Sequence, residues 1–155
     1  MIINVAFADD HVLIGKWQNL LVVDIAGTLE LPHLERVLEI RRALESAAAA
    51  WVSLSFVRVG AGAPDAPTRK AANSAMKEVK SAVAVVNVME ASGITGVALR
   101  TIVRTMNTLS GVDGKIVASL DEALPVILPH MAGKPEAKTV RDALAAFRRR
   151  LRSKG

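Results

Sequence analysis

The chain contains no cysteine. That excludes disulfide frameworks, thiolate zinc sites and cysteine nucleophiles, and it suits a reducing compartment. Aromatic side chains are scarce, at 3%, and Trp17, Trp51, Phe7, Phe56 and Phe147 are the full set. Platforms for stacking the bases of single-stranded nucleic acid are therefore few, and the core has to be aliphatic. No apolar run approaches the roughly 18–20 residues that span a bilayer as a helix. The first ten residues, MIINVAFADD, carry no basic stretch leading into an apolar one. A soluble cytoplasmic protein is expected. His11, His33 and His130 lack the short spacing of metal ligands; each reads as an ordinary turn or surface residue. No metal or cofactor is expected.

What is present suits one domain. The length is 155 residues and 51% are hydrophobic, enough to bury a core and too apolar for general disorder. The net charge of +5 is unevenly spread. From Gly133 onward eight basic residues face two acidic ones, an excess of six, so the first 132 residues are close to neutral. The expected division is a domain over 1–132, then a linker and a C-terminal basic amphipathic helix over 133–155.

Apolar, β-branched-rich stretches place β-type runs at His11–Ile14 and Asn19–Ile25, joined through Gly15-Lys16-Trp17-Gln18, with an edge strand near Ile2–Phe7. Pro32 suits a helix first turn, and Leu34, Val37, Leu38, Leu44 and Ala48 form its stripe. Trp51–Val59 predicts a strand, and Thr68 an N-cap for a helix through about Lys80. Val83–Val88 is the next strand. The following helix carries Leu99, Ile102, Val103, Met106 and Leu109, and Gly111 ends it. Lys115–Leu120 is a short strand, and Asp121-Glu122 open a helix at its positive end. The last helix places Val140, Leu144, Phe147 and Leu151 on one stripe.

Met89-Glu90-Ala91-Ser92-Gly93-Ile94 is similar to the Met-Asp-Ser-Ser-Gly-Leu signature of bacterial anti-sigma-factor antagonists. The order of elements resembles the STAS superfamily, more closely its SpoIIAA-like branch, which shares its shape with the lipid-binding CRAL-TRIO fold. The resemblance covers roughly His11 to Met131. It rests on Leu21–Gly27 (LVVDIAG), Val83–Val88 and Val117–Leu124 (VASLDEAL). It implies an α/β fold with a single mixed sheet: an N-terminal antiparallel hairpin, later strands parallel, four main helices, and the C-terminal basic helix beyond. In the antagonists the kinase target is the first Ser of Asp-Ser-Ser-Gly. Ala91 holds that position here and Glu90 replaces the Asp. Ser92 and Thr95 remain as phosphate acceptors, at a helix N-terminus where a dianion is favoured.

Loops at the carboxyl ends of parallel strands are where open α/β sheets bind ligands. The expected binding rim is therefore Gly60, Gly62, Asp65, Glu90, Ser92, Gly93 and Thr95, with Ser92 the candidate phosphorylation site. Ser53 and Ser55 alternate with Val52, Leu54 and Phe56 and lack a visible base, so they read as one face of a strand rather than as nucleophiles. Asp24, inside LLVVDIAG, reads as facing water. Arg148, Arg149, Arg150 and Arg152 surround Phe147 and Leu151. That basic tail is a candidate contact for anionic lipid or, by electrostatics alone, nucleic acid; the plainer reading docks its apolar stripe on the domain or on a second copy of the chain. The expected function is non-enzymatic: a regulatory module binding a protein partner through the rim. The alternative is a small-molecule or lipid-binding domain with a CRAL-TRIO-like pocket and a tail that contacts anionic membranes.

Overall fold

The computed structural model describes residues 1–47 and 50–151; of the positions singled out above, Ala48 and Arg152 lie outside them. Six strands form one sheet in chain order: β1 (Asn4–Ala8), β2 (Val12–Trp17), β3 (Leu20–Ile25), β4 (Trp51–Val57), β5 (Ala82–Met89) and β6 (Lys115–Val117). β1, β2 and β3 pair antiparallel, and β3 to β6 pair parallel. The sheet is thus mixed as expected. Parallel neighbours need crossovers, supplied by α1 (Leu31–Ala47), α2 (Ala66–Lys77) and α3 (Gly93–Ser110). Because each crossover steps the same way and the right-handed form dominates, all three belong on one face. α4 (Leu120–Ile127) and α5 (Ala137–Arg148) cover the other.

Strand alternation feeds both faces. Val52, Leu54 and Phe56 of β4 join Leu20, Val22, Val86 and Val88 in a core closed by Ile127, Val140, Leu144 and Phe147. Val12, Ile14, Leu21 and Val23 turn the opposite way and pack with Leu44 and Trp51. Burying Val140, Leu144, Phe147 and Leu151 is worth roughly 1.5–3 kcal/mol each before the cost of ordering the helix. The apolar stripe of the terminal helix therefore docks on the domain, within the same core as the strands.

Several local expectations are corrected. Gly15 is not part of a connection but lies inside β2; the turn is Gln18-Asn19, with Gln18 at φ 48° and Trp17 paired to Leu20. A Cβ on Gly15 would stand 2.4 Å from Phe147 Cε2, so glycine leaves room for that ring. α2 is capped by Asp65, which accepts from the Thr68 amide at 2.9 Å, rather than by Thr68 itself, and ends at Lys77. β4 stops at Val57 and β6 at Val117. Ser119 caps α4 by accepting from Glu122 N, and Glu122 accepts in turn from Ala118 N at 2.8 Å, one residue before the cap. Gly111 does end α3, at φ 68°.

Two polar residues are more buried than the sequence suggests. His33 is buried, not a surface residue. Its Nδ1 accepts from Glu30 N at 2.9 Å, so Nε2 carries the proton and donates to Asp9 at 2.5 Å. Burial pushes the Asp9 carboxyl up, but hydrogen bonds from His33 and the His11 and Val12 amides outweigh it, leaving that group below its ordinary value. Asp24 is 0% exposed rather than facing water.

Candidate functional site

The expected rim forms at the carboxyl ends of β3, β4 and β5, but much of it has structural work. Gly62 makes a parallel bridge with Thr28, and its amide donates to Gly27 O at 3.2 Å. Asp65 caps α2, and the hydrogen bond from Thr68 holds its carboxyl below the usual range. Glu90 accepts from Arg148. Gly60 is exposed at φ 89°. Ser92, Gly93 and Thr95 are exposed at the start of α3, where Ser92 makes no side-chain cap bond. Beside them Ile94 is 91% and Val97 62% exposed. The sequence reading missed this apolar pair, although a β-branched pair off the Leu99–Leu109 stripe was its visible sign.

Beneath the rim, on the α5 face, lies an ion network that fixes the basic helix. Asp24 accepts from Arg58 Nε at 2.9 and 3.1 Å and Nη2 at 2.5 Å, and from Arg148 Nε at 3.1 Å. Arg58 also donates to the carbonyls of Arg148 (2.7 Å) and Leu151 (3.2 Å), placing a cation at the negative end of α5. Hydrogen bonding to Asp24 raises the Arg58 pKa further. The Arg148 guanidinium lies 4.0 Å from the Phe56 ring centroid, a cation–π distance. Arg148 therefore points inward and is not part of a solvent-facing basic cluster; Arg149 and Arg150 are the exposed pair.

The opposite face holds a cavity. Between β3, β4 and β5 and the helices α1 to α3 is a space of about 170 Å³. Its floor is Leu21, Val23, Ser53, Ser55, Val85 and Asn87, and its roof includes Val37 and Leu38 of α1, Met76 of α2, and Ile102, Val103 and Met106 of α3. Ser53, Ser55 and Asn87 sit mid-strand in central strands yet keep accessible surface, because they look into this space. Ser55 and Asn87 are register partners. On α3 only Gly96 and Leu99 are buried; Ile102, Val103 and Met106 remain half-buried because they border the opening. Arg41 lies at one edge, donating to Ala75 O at 2.7 Å and placed 3.4 Å from Glu45.

A closed, empty void of that volume would cost about 4 kcal/mol, at roughly 24 cal/mol per Å³; this space has an opening, so solvent or a ligand can enter it and the cost is smaller. The dense core under α4 and α5 shows that this chain can fill a face.

Among the described residues no group of histidine and carboxylate side chains is placed to hold a metal ion, and no helix is long and apolar enough to cross a membrane. No family model and no curated protein matches the chain. Among solved structures it is similar to an uncharacterised protein of the DUF3478 family with a SpoIIAA-like fold from Shewanella loihica PV-4. The two share 15% identity over 81% of this chain and 94% of that one, with a TM-score of 0.52. Likeness at that identity speaks for architecture and not for activity. The sheet order, the crossover helices and this neighbour agree: the chain has a SpoIIAA-like, mixed α/β fold.

Proposed function

We propose that the chain is a non-enzymatic binding module whose ligand is a small, largely apolar molecule held between β3–β5 and α1–α3. The observation that carries this reading is the cavity of about 170 Å³, floored by mid-strand Ser53, Ser55 and Asn87 and roofed by aliphatic and methionine side chains. An apolar cavity of 150 Å³ is enough to take up benzene, whereas drug-sized ligands occupy about 300–1,000 Å³. A ring or a short chain fits; a whole diacyl lipid does not. Ser53 and Ser55 have Leu21, Val23, Val85 and Asn87 as register partners, none of them a base, which favours binding over nucleophilic catalysis. Native mass spectrometry of the freshly purified chain tests this reading, with Ala72→Leu as the blocked control. A small bound molecule in the wild type alone supports it. Equal occupancy of both forms, or no uptake of any small aromatic compound offered to the wild type, counts against it.

Contact with a protein partner through the rim is the second reading, and the exposure of Ile94 and Val97 beside Ser92 and Gly93 favours it. With Gly62, Asp65 and Glu90 engaged internally, the contact narrows to the first turns of α3. A pull-down comparing wild type with Ile94→Asp/Val97→Asp decides: identical captured proteins remove this surface. Contact of the C-terminal helix with anionic lipid or nucleic acid has less support, since Arg148 is committed to Asp24 and Glu90.

A further inference from the structure

The chemistry of the cavity narrows its occupant, given that the cavity binds a ligand at all. Its walls are aliphatic and methionine side chains with the Trp51 ring, apart from Arg41, Asn107 and a specific arrangement of Ser53, Ser55 and Asn87. Ser55 on β4 faces Asn87 on β5 as its register partner, about 4.8 Å away across the sheet. Ser53 stands two residues back on the same face, about 6.6 Å along the strand. Among the described residues no hydrogen bond joins any of these three side chains to the protein. A serine hydroxyl and a carboxamide both donate and accept, so together they match a carbonyl or hydroxyl group and select no charge.

Charge is controlled by what else lines the space. Among the described residues Arg41 is the one ionisable group in the lining. It is buried; its guanidinium charge is opposed by Glu45 at 3.4 Å and one Nη donates to Ala75 O, while its Nε–H makes no hydrogen bond. An ionised ligand would lose its hydration and meet a cation whose charge Glu45 already balances, which disfavours it relative to a neutral molecule. The flexible side chains of Met76 and Met106 can adapt to the rest of the molecule.

We infer that the cavity takes a neutral molecule of about single-ring size carrying one hydrogen-bonding carbonyl or hydroxyl group, seated on Ser55 and Asn87 with its apolar body under α3.

The test is a titration of the full-length, isotope-labelled chain with three ring compounds of similar size, followed by amide chemical shifts. Acetophenone is neutral with a carbonyl, ethylbenzene is apolar, and benzoate is anionic. Acetophenone should bind about 5- to 10-fold more tightly than ethylbenzene, as expected for one net hydrogen bond, with the largest shifts at Ser55 and Asn87. Benzoate should produce no saturable shift. In Ser55→Ala/Asn87→Leu the preference should reverse in favour of ethylbenzene. The wild-type ranking stands by itself should that variant not fold. Ethylbenzene equal to or tighter than acetophenone in the wild type overturns the polar seat and leaves the cavity reading intact. Saturable benzoate binding overturns the neutral class. Binding of none of the three overturns this inference and the cavity reading together.

Discussion

Replacing Asp24 by Asn tests the network that holds α5 in place. The substitution keeps the shape and removes the charge. Asp24 is fully buried, and it is opposed by two guanidiniums whose side chains are each 22% exposed. Breaking a buried pair from one side costs about 3–5 kcal/mol, because the other charge is left uncompensated. Partial exposure of both arginines puts this case at the lower end, about 3 kcal/mol. For a chain of this size that corresponds to a fall in Tm of roughly 6–12 °C. Glu90→Gln is the internal comparison. It removes the other carboxylate on Arg148, but that side chain is 35% exposed, so the expected cost is below about 1 kcal/mol. Urea unfolding followed by far-UV circular dichroism measures both, with unchanged slopes as the check on two-state behaviour. If Asp24→Asn lies within about 1 kcal/mol of wild type, or Glu90→Gln costs as much, the network is not the clamp described above.

Other substitutions probe separate parts of the fold. Gly15→Ala pushes a methyl group to 2.4 Å from Phe147 Cε2 and 2.8 Å from Ile3 Cγ2, and should cost about 1–3 kcal/mol as overpacking; denaturant midpoints would show it. Ala72→Leu on α2 fills part of the cavity and should raise stability by about 0.5–2 kcal/mol while abolishing uptake of small aromatic compounds; a destabilised variant would mean that the space is already filled. Asp9 has a folded pKa below its ordinary value of 3.8. Its ionised form therefore stabilises the fold above that pH, and the contribution is lost as pH falls through the depressed value. Asp9→Asn should narrow its stability deficit relative to wild type as pH drops below about 3.8; a constant deficit on acid titration would contradict the His33 contact.

Much of the architecture is written locally. Valine-rich runs mark β3 and β5, the alternation of Val52, Leu54 and Phe56 with serines marks β4, Gly111 marks the end of α3, and Asp121-Glu122 mark the start of α4. What the sequence hides depends on residues distant along the chain. Gly15 carries a turn signal, yet the Phe147 ring decides that it stays in a strand. Asp24 shows no partner nearby because Arg58, just past the end of β4, and Arg148 of the last helix reach it from far along the chain. Thr68 and Asp65 are both good caps, and Pro67 within the first turn of α2 places the helix start before Thr68. The alternation of Ser53 and Ser55 is legible, but a cavity is a volume left between elements, and no local pattern encodes how closely α3 approaches the sheet. The rim was legible as loops; that Glu90, Asp65 and Gly62 are engaged internally was not.

An open, ligand-accepting space between β3–β5 and α1–α3 underlies the proposed binding. Crystals of the full chain pressurised with xenon test it most directly, because xenon enters apolar cavities of this size. A xenon site is expected above Ser55 and Asn87, bounded by Val37, Met76 and Met106, and it should disappear in Ala72→Leu. Side chains of α3 closed onto the strands, with no xenon there at saturating pressure, would contradict it.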